Sequence, residues 1–148
     1  MLRNLAPRAS LILGMTVLVT GCGEPMQPDG EGVTGSWTFT VDVTTTTGVC
    51  AGEENDPVES VGVSIIQAGS NVQALSTWFS DNGSHTFLGT RNGNTVTFSG
   101  SYQEEGALLE ATYELTVSGD ENSMTGTETW DWNGECANSE SDVTATRN

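Results

Sequence analysis

Lysine is absent from the 148-residue chain, histidine occurs once, and four arginines face 20 aspartates and glutamates, for a formal charge of −16. A protein that grips nucleic acid by neutralising phosphates needs a basic face, so that class is excluded. The single imidazole, His85, comes without a serine nucleophile elbow, a histidine-based metal motif or a phosphate-cradling glycine loop, and no enzyme is expected. No cofactor is implied. Residues 34–148 show no sustained helical period, and alanine and leucine are scarce there. The length suits one domain and leaves no room for two independent cores.

The apolar run at residues 11–19 follows Arg3 and Arg8 and is shorter than the ~20 residues that a membrane-spanning helix needs. It is followed by Val19-Thr20-Gly21-Cys22, which resembles the lipobox of bacterial lipoproteins: apolar, small, small, cysteine. The resemblance implies cleavage before Cys22 and acylation of that residue. Residues 1–21 would then be a signal peptide, and the partner would be the membrane, through an N-terminal lipid anchor. An ordinary secretory peptide cleaved nearby, leaving Cys22 as a free thiol, is the alternative. Gly23 after the cysteine resembles the outer-membrane sorting signal of enterobacterial lipoproteins. Removal of residues 1–21 leaves 20 acids against Arg91 and Arg147, a balance of −18. Residues 22–34 hold Gly23-Glu24-Pro25 and Pro28-Asp29-Gly30-Glu31-Gly32 and read as a lipidated cysteine and flexible tether.

Beyond the tether the dominant period is two. Trp37, Phe39, Val41 and Val43 alternate with Ser36, Thr38, Thr40 and Asp42, the pattern of a half-buried strand. Seven further strands are predicted over 60–67, 71–80, 84–91, 94–102, 107–118, 123–133 and 141–147. Their connections are of hairpin type, with Asn-Gly at Asn82-Gly83 and Asn92-Gly93 as the signals for type I′ turns. Eight sequential antiparallel strands make a meander that can close its own edges, so residues 35–148 are expected to be an all-β, eight-stranded, up-and-down barrel. A β-sandwich is the alternative, although its Greek-key crossovers need longer loops.

Gly35-Ser36-Trp37 at the start of the first strand resembles the Gly-x-Trp opening of lipocalins and avidins, the calycin group, and Arg147 matches the arginine that packs across that tryptophan. The resemblance implies a lipocalin-like barrel with Trp37 and Arg147 as a structural latch. The polar residues with which avidins hold biotin have no match over 38–46. The cysteines bear on topology independently. With Cys22 assigned to lipid, Cys50 lies in the first connection and Cys136 in the seventh. Odd-numbered connections share one end of such a barrel, and its first and last strands are neighbours, so a Cys50–Cys136 disulfide is expected.

The same bookkeeping puts Glu53, Glu54, Asp56, Glu59, Asp81, Glu104, Glu105, Glu135 and Glu140 at that end, the mouth, and Asp120 and Glu121 at the other. The acidic mouth reads as a solvated rim. A Ca²⁺ site assembled across loops is the less favoured reading, because no EF-hand spacing is present. One parity per strand sends Trp37, Phe39, Val41, Val63, Ile65, Val72, Ala74, Phe87, Val96, Phe98, Tyr113, Leu115, Met124 and Val143 inward, and gathers Trp78, Tyr102, Trp130 and Trp132 into an aromatic collar near the mouth. Such a collar suits a small apolar or aromatic ligand. Glu128 shares the inward face, with Arg91 or Arg147 as its expected neutralising partner. Two functions remain: an envelope lipoprotein whose barrel binds a small ligand or a protein partner, and a structural one with a solid core.

Overall fold

The computed structural model describes residues 32–52, 58–76, 84–104 and 106–148. Eight strands run in chain order: β1 (Gly35–Thr45), β2 (Glu59–Ala68), β3 (Asn71–Ser76), β4 (His85–Asn92), β5 (Thr95–Glu104), β6 (Ala107–Val117), β7 (Ser123–Trp132) and β8 (Ser139–Arg147). Each pairs antiparallel with the next, and β1 pairs with β8 from Trp37↔Arg147 to Thr45↔Glu140, closing the barrel. The meander therefore has no free edge among these strands, and the sandwich alternative is excluded.

Alternation places the side chains as expected. The fourteen residues from Trp37 to Val143 assigned inward are all buried, and Val33, Val117 and Ala145 join them. Outward positions such as Ser99, Ser101, Glu110, Thr112, Glu114, Thr125 and Thr127 are polar and exposed, with Thr97 half-buried among them. This is apolar inside and polar outside, the reverse of a membrane-spanning barrel. Sharp coiling at two inward positions requires glycine: a Cβ on Gly89 would lie 1.9 Å from the Thr97 carbonyl oxygen, and one on Gly126 would lie 2.0 Å from that of Glu114.

Two turns differ from expectation. Ala68 pairs with Asn71 and Asn92 with Thr95, so the hairpins turn at Gly69-Ser70 and Gly93-Asn94. Positive φ falls on Gly69 (+61°) and Gly93 (+59°) and not on the residues after them, the type II′ pattern, which needs glycine only in the first position. The expected turn at Asn92-Gly93 is thus displaced by one residue. The new pairing keeps every side chain on its own face, because the register changes by an even step. The Asn82-Gly83 signal lies outside the described residues, as does the expected extension of β3 beyond Ser76.

The Cys50–Cys136 disulfide is present, with Cα atoms 5.7 Å apart, both cysteines buried and 86 positions apart in the sequence. Around it, Thr47 Oγ1 donates to the Ala137 carbonyl, and Thr47 N–H donates to the buried hydroxyl of Ser139. The first and seventh connections are thus bonded together over one side of the mouth. A Cys50→Ser, Cys136→Ser double variant is expected to lose about 2–5 kcal/mol of stability by urea unfolding, since a long loop is released in the unfolded chain. Unchanged stability would show that the hydrogen bonds between the two connections suffice.

Candidate functional site

The two ends of the barrel are built from different chemistry. At the closed end, the Arg147 guanidinium lies 4.7 Å from the centre of the Trp37 ring and donates to the carbonyls of Gly32, Thr34 and Glu121. Trp37 Nε1–H donates to the Val33 carbonyl at 2.9 Å, and Gln67 Oε1 accepts from Val33 N–H. Val33 is fully buried, so residues 32–34, expected to be the end of the tether, are the floor of the barrel. Residues 1–31, with the leader and Cys22, lie outside the described residues. Arg91 forms an ion pair with Glu121 at 2.6 Å, and Glu121 also accepts from Gly32 N–H. The Arg91 hydrogen bond, helped by that of Gly32 and opposed by desolvation, holds the Glu121 carboxyl below its ordinary 4.5.

Both arginines of the barrel are therefore engaged at the floor, and neither is the partner of Glu128, contrary to expectation. Glu128 is buried near mid-barrel, opposite Tyr113 on β6 and Ser141 on β8. It accepts a hydrogen bond from the Tyr113 hydroxyl; burial first, and then the Glu128 charge, push that phenol well above its ordinary 10.0.

One cross-strand row climbs from Trp37 and Val63 at the floor toward the mouth. Ser76 faces His85, Tyr102 faces Leu109, and Leu109 faces Trp132. The His85 and Tyr102 rings stack with centroids 4.4 Å apart. Trp130, one inward position below Trp132, is buried and donates through Nε1 to the Ser141 hydroxyl at 3.2 Å. Tyr102, Trp130 and Trp132 thus share the mouth as predicted, whereas Trp78 lies outside the described residues. His85, the single imidazole without an accompanying motif, is the added member. Its signal was parity: it sits two residues before Phe87 on the same inward face. Two nitrogens here are buried and have no hydrogen-bond partner, His85 Nε2 and Trp132 Nε1.

Below the collar the barrel is filled. Phe98 stacks on Tyr113 at 4.9 Å, Phe87 meets Tyr113 edge-on at 5.5 Å, and Phe39 lies 6.3 Å from both Phe98 and Tyr113. Glu128 keeps 7% of its surface exposed, and Tyr102, Leu109 and Trp130 keep 8% each. Among the described residues no three histidines, cysteines or acids gather as a metal site. Of the mouth acids, Glu59, Glu135 and Glu140 are exposed, while Glu53, Glu54, Asp56, Asp81 and Glu105 lie outside the described residues.

No family model matches this chain. No curated protein matches it either. Among solved structures it is similar to the monomer form of the M. tuberculosis PknI sensor domain, with a TM-score of 0.49 and 11% identity over 78% of this chain and 86% of that one.

The Glu121 contacts predict an acid-dependent floor. A carboxyl held below its ordinary value stabilises the fold above about 4.5, and that contribution disappears as pH falls through the folded-state value. Thermal melts should show Glu121→Gln less stable than the parent at neutral pH, with the gap closing in acid. A gap that stayed constant down to the acid limit would mean that the ion pair is not what Glu121 contributes.

Proposed function

We propose that this chain is a lipid-anchored envelope lipoprotein, acylated at Cys22, whose lipocalin-like barrel binds a small apolar or aromatic molecule at its mouth. The observation that carries the binding reading is the pair of buried, unpartnered nitrogens on His85 and Trp132, with the His85 ring stacked on Tyr102. Burying a polar group without a partner is costly, and a ligand oxygen or N–H placed there would remove that cost. The packed aromatic layer of Phe39, Phe87, Phe98 and Tyr113 favours the solid-barrel reading for the lower part of the molecule, so binding is confined to the mouth. The Gly-x-Trp and arginine pair supports kinship with calycins, because Trp37 and Arg147 meet across the closing seam.

Anchoring is tested by Cys22→Ser, which should move the protein from the membrane fraction to the soluble envelope fraction; retention in the membrane would end the lipoprotein reading. Binding is tested by isothermal titration calorimetry of the mature protein in lipid nanodiscs, with empty nanodiscs as reference and para-propylphenol as probe. Saturable binding is expected, weakened by at least about tenfold, ~1.4 kcal/mol, in a folded Trp132→Leu variant. No saturable binding of any aromatic probe, charged or neutral, would leave the solid barrel as the function.

A further inference from the structure

Resting on the mouth as the binding site, we propose that its ligand is a protonated amine carried on a small aromatic or apolar body. Three features of the mouth converge on positive charge. The stacked His85–Tyr102 pair, Trp130 and Trp132 present ring faces whose quadrupoles attract a cation. Glu128 stands on the same inward face of β7 as Trp130, two residues or ~7 Å deeper, and keeps a little exposed surface. A ligand whose flat body lies among the collar rings would therefore direct an ammonium group toward a carboxylate. The Nε2 atom of His85, when the imidazole is neutral and protonated on Nδ1, is an acceptor for an ammonium N–H, and Trp132 Nε1–H is a donor for an oxygen on the same ligand.

The distribution of charge along the barrel points the same way. Arg91 and Arg147 are the cationic side chains among the described residues that are charged at every ordinary pH, and both are engaged at the floor with Glu121 and the Trp37 ring. The described charges around the mouth, Glu59, Glu135 and Glu140 with Glu128 inside, are carboxylates. Such a field raises the local concentration of cations and repels anions. An anionic ligand would also bring like charge against Glu128 in a poorly solvated interior, which is strongly disfavoured.

The test compares three probes with one para-hydroxyphenyl ring: tyramine as cation, para-propylphenol as neutral isostere and para-hydroxyphenylpropanoate as anion. Calorimetry on the mature protein in nanodiscs should show tyramine binding at least about tenfold more tightly than para-propylphenol, with the anion weakest. Added salt should reduce the advantage of tyramine and leave the neutral probe unaffected. Glu128→Gln should remove most of the advantage while retaining para-propylphenol binding. Should that variant fail to fold, the wild-type ranking of the three probes decides alone. Equal affinity for cation and neutral isostere would overturn this inference and leave the mouth as an apolar site. Absence of binding by all three would overturn the binding function itself.

Discussion

The pairing of β1 with β8 is the constraint on which the rest of the molecule depends. It joins strands at opposite ends of the sequence and removes the two edges that a meander otherwise exposes. The seam is fastened at both ends. At the floor, Trp37 pairs directly with Arg147, whose guanidinium covers the indole and ties down the carbonyls of residues 32 and 34. At the mouth, Cys50 and Cys136 link the connections that leave and enter the same two strands. Closure costs much chain entropy because the partners are distant in sequence, and fastenings at both ends offset that cost where fraying would begin.

A closed barrel of eight strands has a narrow interior, and its content decides what kind of protein it is. Here the middle is occupied by interlocked aromatic rings, with Gly89, Gly100 and Gly126 at inward positions where a Cβ would strike a neighbouring strand or the Phe87 ring. Large rings opposite glycines fill the section without strain. The consequence for function is spatial: chemistry is restricted to the layer above those rings. The change from hydrocarbon to polar interior occurs there, with Ser76, Ser139, Ser141 and Glu128 among Tyr102, Trp130 and Trp132.

Much of this architecture is legible in the sequence, because a period of two with short turns leaves few alternatives. Strand number, closure, the inward set and the disulfide all follow from alternation and from counting connections. What escaped is what alternation does not encode. Gly32 and Val33 look like tether, yet Val33 is buried, its carbonyl held by the Trp37 indole and those of Gly32 and Thr34 by Arg147, more than a hundred residues later. The partner of Glu128 was misread for a related reason: charge complementarity suggested an arginine, whereas depth along the barrel axis separates Glu128 from both arginines and sets a tyrosine beside it. The place of His85 against Tyr102 rests on the turn at Gly93-Asn94; a turn one residue earlier would set it opposite Gly100.

The separation of charges along the axis links the floor to the mouth. An arginine inside the barrel would neutralise Glu128 but would leave the floor without the group that holds residues 32–34 against Trp37. With Arg147 and Arg91 at the floor, where Asp120 and Glu121 match them in number, the chain enters at a charge-balanced end and Glu128 lies toward the other. A tether joined at Gly32 and anchored in lipid would turn that floor toward the membrane and the acidic, aromatic mouth away from it. Cations in the surrounding space would then meet the end of the barrel whose field and ring faces attract them, and anionic lipid headgroups would face the end that holds the arginines.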